Sequence, residues 1–349
     1  MADLFVPIFS SDLLLIIINY MNTMDKIFFL TYLKKNNRDI SSNIQISQRD
    51  SIPGLLKQNI KSISYLNNLK YLDLGVDMKY LGYEHMDHKD IDDESMLNIS
   101  KLTNLTFLSL NNKNKITTNG LILLAKLTNL RSLELSRNLL SFYIDTTTKF
   151  NFQVFTTFLT NLTSLNLSCS NNLKLEYLTD LVRLQNLNLK DCYKLNPNDL
   201  YLLEQLPELK SLNLSNVNSI ENFDMIGRLT NLTFLDISDV RNIFTYDPLS
   251  NLTKLEILYL YNIVFDNANF LYYLTQLRDL NLFSYESEID DLTPLIYLTN
   301  LEKLIIRPLD ISSRLRYLTN LKYLEIGGLP TVMNSSDISL LTNLEKNST

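Results

Sequence analysis

The sequence predicts an α/β solenoid, in which short parallel strands stack side by side and short helical turns return the chain from each strand to the next. A phrase of the form Leu-Thr-Asn-Leu-x-x-Leu-x-Leu recurs at intervals of about 20 to 25 residues, the spacing of a stacked repeat unit. Its closing Leu-x-Leu has the two-residue period of a strand with one buried face. A single unit cannot bury its own leucines, so neighbouring units must join their apolar edges into one continuous core.

The repeats occupy residues 66–349, and their two longest steps follow Leu66 and Leu127. The copies open at Leu66, Leu102, Leu127, Leu159, Leu181, Leu206, Leu229, Leu252, Leu274, Leu298, Leu318 and Leu341. The rest of each unit is too short for a long helix, so we expect short turns, often of the 3₁₀ kind, on the convex side. The phrase resembles the short leucine-rich repeats of protein phosphatase regulators and bacterial internalins. That resemblance implies a horseshoe with a parallel concave sheet.

Composition excludes several classes of protein. The 349 residues carry a net charge of -6, which provides no clustered basic face for nucleic acid. The most apolar stretch, residues 13–33, is interrupted by Asn19 and Asp25 and does not read as a membrane span. Asp3 and Asp12 stand where a secretory signal would have basic residues. We therefore expect a cytoplasmic or nuclear protein with neither a nucleic-acid nor a membrane partner.

Residues 1–40 do not follow the repeat and predict two amphipathic helices. Ser10 or Ser11 can cap the first helix, whose apolar positions include Leu14 and Ile17. Asp25 can begin the second, which includes Leu30. Residues 41–65 follow as a linker and a degenerate capping repeat, with a strand predicted at Ile44-Gln45-Ile46.

This leader resembles an F-box. The matching positions are Asp12, Leu13, Leu14, Ile17, Tyr20, Met21, Asp25, Leu30, Leu33 and Lys35. The resemblance implies an adaptor-binding surface for a cullin RING ubiquitin ligase, with the concave repeats holding the substrate. Its residues would be Leu13, Leu14, Ile17, Tyr20 and Leu30. The alternative is that the leader only caps the open end of the solenoid, as solenoids require.

Residues that flank the buried leucines of each strand must face outward, in three columns on the concave side. Early and middle copies place small polar residues there, such as Ser164, Asn166 and Ser168, which we interpret as a solubilising surface with cross-strand hydrogen bonds. Later copies place an aromatic patch there, over roughly 20 Å of neighbouring strands. Its residues are Phe234, Ile257, Tyr259, Tyr261 and Phe283, with Arg307 and Tyr323 at its edge.

Large solvated apolar patches are unusual on monomers, and Tyr and Arg are the usual anchors of interfaces. The patch therefore predicts a site for a protein partner. The alternative is a scatter of surface aromatics in a chain that contains 19 tyrosines.

The longest step between copies contains both histidines and a run of acidic residues. These are His85, Asp87, His88, Asp90, Asp92, Asp93 and Glu94. Histidines and carboxylates can hold a divalent metal, but the spacing fits no rigid motif, so we expect a solvated acidic loop and no metal. The insertion from Ser141 to Thr157 predicts a protruding loop. Cys169 and Cys192 predict reduced structural thiols, Cys192 at an inward position after its strand.

The sequence predicts a binding protein and not an enzyme. It contains no Gly-rich phosphate loop, Cys-x-x-Cys pair or nucleophile elbow, and both histidines fall in one loop. We therefore expect no catalytic residues and no cofactor. Two hypotheses remain, a ubiquitin-ligase substrate receptor and a stand-alone repeat scaffold similar to a phosphatase regulator.

Overall fold

The structure is a computed structural model. It describes residues 45–47, 63–64, 66–75, 91–112, 115–136, 156–171, 173–241, 243, 245–264, 267–285, 291–307, 312–327, 341–344 and 346–348. The predicted F-box-like leader and most of the predicted insertion lie outside these residues. The chain divides into two compact units, an N-terminal unit within residues 1–172 and 180–184 and a C-terminal unit within residues 173–179 and 185–349.

The N-terminal unit is built on parallel strands that pair in chain order. They are β1 (Gln45–Ser47), β2 (Tyr71–Asp73), β3 (Phe107–Ser109), β4 (Ser132–Glu134) and β5 (Ser164–Asn166). Strand β1 overlaps the strand predicted at residues 44–46. Short helices connect the strands: α1 (Asp93–Ile99), α2 (Thr118–Ile122) and a 3₁₀ turn at Leu123–Lys126.

The C-terminal unit repeats the same arrangement more regularly. Its strands are β6 (Asn186–Asn188), β7 (Ser211–Asn213), β8 (Phe234–Asp236), β9 (Ile257–Tyr259), β10 (Asp279–Asn281), β11 (Lys303–Ile306), β12 (Tyr323–Ile326) and β13 (Lys346–Ser348). Each is parallel to its neighbour. The return segments are 3₁₀ turns at Leu175–Leu178, Pro197–Gln205, Ile226–Arg228, Asp247–Asn251, Asn269–Tyr273 and Thr293–Tyr297, and the helix α3 (Ser312–Leu315). The predicted short 3₁₀ turns are thus confirmed.

The four leucines of the repeat phrase form the core. In one copy, Leu252, Leu255, Leu258 and Leu260 are all fully buried. In register, Leu258 lies beside Leu235 on one neighbouring strand and beside Leu280 on the other. Full burial of a leucine contributes about 1.5–3 kcal/mol, so the stacked leucines supply the main driving force for folding.

The segment Leu-Thr-Asn-Leu forms a tight turn before each strand. The backbone N–H of Leu301 donates to the carbonyl of Leu298 at 3.0 Å. The side-chain amide of Asn300 then donates to the carbonyl of Thr275 in the preceding copy at 3.0 Å. The same contact is made by Asn104, Asn129, Asn161, Asn231, Asn320 and Asn343. Asparagine recurs at this position because its amide links the copy that contains it to the copy before.

A left-handed turn follows each of several strands. Asp191, Asn216, Asp239 and Asn262 all have φ between 57° and 59°, a region that Asn and Asp tolerate better than most residues. Cys169 has the same conformation with φ of 61°. Cys192 is fully buried at the predicted inward position, and neither cysteine forms a disulfide.

Candidate protein-binding face

The residues between and beside the buried leucines form three columns on the solvent side of the C-terminal sheet, which we call the open face. Strand pairing fixes the first two columns, and the same register continued by two residues gives the third. Across β8 to β12 the first column is Phe234, Ile257, Asp279, Lys303 and Tyr323, the second is Asp236, Tyr259, Asn281, Ile305 and Glu325, and the third is Ser238, Tyr261, Phe283, Arg307 and Gly327.

All seven residues of the predicted patch lie on the open face, and all are half-buried. Their side chains are therefore partly packed and partly available to a partner. They lie on or directly after five successive strands, so each patch residue has another on its own strand or on a neighbouring one.

One cluster within the patch is built around the carboxylate of Asp279. The rings of Phe234 and Tyr259 meet edge to face with centroids 5.7 Å apart. The Tyr259 hydroxyl donates to Oδ2 of Asp279 at 3.0 Å, and Nζ of Lys303 pairs with the same oxygen at 3.2 Å. The Lys303 ammonium also lies 5.8 Å from the ring centroid of Tyr259 and 5.7 Å from that of Tyr323.

Burial, and then the negative charge of Asp279 and the hydrogen bond to it, raise the pKa of Tyr259 to about 12. The hydroxyl of Tyr323 donates to Glu325 at 2.6 Å. Both tyrosines of this cluster thus donate their hydroxyl protons in hydrogen bonds to carboxylates of their own chain. What they offer a partner is mainly the apolar surface of their rings.

A second cluster lies in the third column and beyond it. Tyr261 and Phe283 stack with centroids 5.8 Å apart and planes 10° apart. Tyr285 stands edge-on to both rings, at 6.3 Å and 4.9 Å. Nη1 of Arg307 donates to the carbonyl of Tyr285 at 2.7 Å, with a longer contact to that of Ser284 at 3.4 Å. These bonds hold the guanidinium against the backbone of Ser284 and Tyr285, the segment that follows the ring of Phe283.

Tyr285 is a functional candidate that sequence reasoning missed. Its side chain is 65% exposed, more than any residue of the predicted patch. It follows the third column, where the two-residue period of the strand has ended and no longer predicts a side-chain direction. The sequence feature that indicates Tyr285 is the run Phe283-Ser284-Tyr285, in which two aromatic residues are two positions apart.

Gly327 leaves room for the ring of Phe283. A methyl group at Gly327 would overlap Cε2 of Phe283. The ring extends along the third column past the position of Arg307 to reach this glycine. A side chain there would compete directly with Phe283 for space.

Several polar residues of the open face form hydrogen bonds with other groups of the same chain. Asn188 accepts from the backbone N–H of Lys190 at 3.0 Å, and Asn213 accepts from that of Ser215 at 2.8 Å. Asn213 also donates across strands to Asp236 at 2.9 Å, which is a hydrogen bond of the cross-strand kind predicted for this surface. In the N-terminal unit Asn166 makes the equivalent bond to the N–H of Ser168. These residues stabilise strand ends.

The acidic run predicted as a loop has a structural role where it is described. Asp92 caps helix α1 by accepting from the backbone N–H of Ser95 at 3.0 Å, and Asp93 accepts from that of Thr117 at 2.7 Å. His85 and His88 lie outside the described residues. Among the residues that the structure does describe, no group of three or more His, Cys, Asp or Glu side chains could hold a metal ion. Within the same residues, no helix is long and apolar enough to cross a bilayer.

No protein-family model and no curated protein sequence matches this chain. In structure it is similar to an internalin from Listeria monocytogenes, with 22% identity over 82% of each chain and a TM-score of 0.55. It is also similar to a leucine-rich-repeat protein from Leptospira interrogans, with 22% identity over 90% of this chain and 91% of that one and a TM-score of 0.50. The solenoid predicted from the sequence is confirmed: the chain has the leucine-rich-repeat fold.

Proposed function

We propose that this chain is a non-enzymatic protein-binding repeat protein whose partner docks on the aromatic patch, here extended to include Tyr285. The observation that carries the proposal is the continuity of the patch over β8 to β12. Aromatic and arginine side chains in a contiguous, partly buried surface are the usual anchors of protein interfaces. The hydroxyls of Tyr259 and Tyr323 are already hydrogen-bonded within the chain, so a partner meets mainly their apolar ring surface. Covering that surface would stabilise a complex.

Matched pairs of tyrosines provide a test. Tyr261→Ser with Tyr285→Ser removes two rings from the patch. Tyr273→Ser with Tyr297→Ser removes two rings from the 3₁₀ turns, where the side chains are 61% and 50% exposed. Proteins retained by the immobilised wild-type chain should be lost from the first variant and kept by the second. Equal retention by both variants, with unchanged melting temperatures, would contradict a role for the patch.

We further propose that the partner is a substrate delivered to a cullin RING ubiquitin ligase in the cytoplasm or nucleus. The support is the F-box-like pattern of residues 11–35, followed along the chain by leucine-rich repeats. Leu14→Asp or Ile17→Asp should abolish co-purification of the ligase adaptor, and Tyr261→Ser with Tyr285→Ser should not. The stand-alone scaffold is the alternative. An adaptor that never co-purifies with the wild-type chain would favour it.

A further inference from the structure

The Tyr261, Phe283, Tyr285 and Arg307 side chains form one corner of the patch, which we call the arginine corner. On the basis of the proposed function, we infer that the arginine corner receives a single carboxylate adjacent to an apolar side chain. The occupant is a partner segment in which Asp or Glu neighbours an aromatic or aliphatic residue.

The guanidinium of Arg307 is held in place by backbone groups. Its hydrogen bonds go to two backbone carbonyls, which orient the guanidinium without neutralising it. Within the described part of the chain no carboxylate forms an ion pair with Arg307, whereas Lys303 on the same strand is paired with Asp279. A guanidinium has five N–H donors in a planar fork, so donors remain for a carboxylate of the partner.

The three rings of the arginine corner provide the apolar half of the site. Tyr261 and Phe283 stack on each other, and the exposed Tyr285 forms a wall at right angles to them. Interaction with the side chain of Tyr285, and then burial, raise the pKa of Tyr261. An apolar side chain of the partner can cover Tyr285 while its neighbouring carboxylate reaches the guanidinium.

Two other ligand chemistries fit less well. A cationic ligand would be repelled by Arg307, and rings stacked 5.8 Å apart leave no space for an ammonium group between them. A polyanion such as nucleic acid would meet Asp236 and Glu325 on the same open face, in a chain of net charge -6. One carboxylate with an apolar neighbour satisfies the guanidinium and brings only a single negative charge to this face.

A random peptide display library, selected on the full-length chain, tests the inference. We expect enriched peptides to carry Asp or Glu next to an aromatic or aliphatic residue. Selection on Arg307→Gln should lose the acidic position and keep the apolar one, and selection on Arg307→Glu should replace the acid by Lys or Arg. Arg278→Gln is the control, since Arg278 is a surface arginine that lies outside the patch, and it should give the wild-type preference.

A synthetic peptide of the enriched sequence then gives the magnitude. Arg307→Gln should weaken its binding about tenfold, as expected for loss of a charge-assisted bidentate contact. Replacing the acid of the peptide by its amide should weaken wild-type binding by the same factor and should not weaken binding to Arg307→Gln further.

The possible failures are distinguishable. Peptides that require Tyr261 and Tyr285 but show no acidic preference would overturn the inference and leave the proposed function standing. Peptides that bind equally well to Tyr261→Ser with Tyr285→Ser, or no enrichment above that variant, would overturn both.

Discussion

The hydroxyl of Tyr259 donates a 3.0 Å hydrogen bond to Oδ2 of Asp279 on the neighbouring strand. The same oxygen accepts from Lys303, so one carboxylate joins three successive strands. This arrangement places a phenol that resists ionisation on the open face. Its effect on stability depends on pH in a direction that can be worked out.

Tyr259→Phe should reduce the free energy of unfolding by about 1 kcal/mol near neutral pH, where one hydrogen bond is lost. In the folded chain the pKa of Tyr259 is about 12, against 10.0 for an ordinary tyrosine. A raised pKa means that folding favours the protonated phenol. Its contribution is therefore complete below pH 10 and declines as the pH rises towards 12. The gap in stability between the wild type and Tyr259→Phe should narrow over this range.

Urea unfolding at a series of pH values measures that gap. Tyr273→Phe is the control, because Tyr273 is 61% exposed on a 3₁₀ turn and its replacement should leave stability unchanged within about 0.5 kcal/mol. A gap between wild type and Tyr259→Phe that stays constant or widens above pH 10 would contradict the assignment.

Gly327→Ala should displace the ring of Phe283 and destabilise the chain by about 1–3 kcal/mol, as overpacking does. The displacement should also disturb the stack with Tyr261 and so weaken peptide binding at the arginine corner. Phe283→Ala removes the ring that is in the way. In that background Gly327→Ala should cost far less, and a double-mutant cycle measures the difference. Additive costs would show that the alanine clashes with something else.

The leucine periodicity predicts which residues are buried and on which strand each lies, because the two-residue alternation and the stacking of copies leave no other arrangement. It also places the seven patch residues on one face. It does not predict the pairing of Tyr259 and Lys303 with Asp279, since the columns fix positions but not side-chain rotamers. Nor does it predict the close approach of Phe283, after β10, to Gly327, after β12. That contact depends on the direction in which the ring extends across the intervening strand.

At Asn300, too, the sequence predicts the position of the residue but not the contact that its side chain makes. The repeat phrase marks the residue as recurrent, but its bond to the carbonyl of Thr275 exists only once two copies are stacked. Asn300→Asp keeps the shape and removes the donor, leaving a carboxylate facing a carbonyl. We expect a loss of about 1 kcal/mol in the free energy of unfolding, measured by urea titration.

Lys254 occupies the same position of the repeat and provides a comparison. Its ammonium donates to the side chain of Asn231 at 2.7 Å instead of to a backbone carbonyl. Lys254→Ala removes an exposed contact between two side chains and should change stability by less than about 0.5 kcal/mol. If both variants behave alike, the backbone link between copies does not contribute as we propose.

Ile257 and Leu258 are adjacent on β9 but face opposite sides of the sheet, so they separate the folding role of the strand from its binding role. Leu258 is fully buried, and Leu258→Ala should cost about 2–5 kcal/mol because it leaves a cavity between neighbouring copies. Ile257 is half-buried on the open face, so Ile257→Ala should cost about 1 kcal/mol.

For partner binding, the order of the two substitutions should be reversed, with the larger loss at Ile257. At a temperature where both variants are folded, Ile257→Ala should weaken binding of proteins retained through the patch, and Leu258→Ala should leave it nearly unchanged, because its removed atoms face the core. Equal losses of stability would contradict the alternation on which the patch depends, and unchanged binding by Ile257→Ala would place the partner elsewhere.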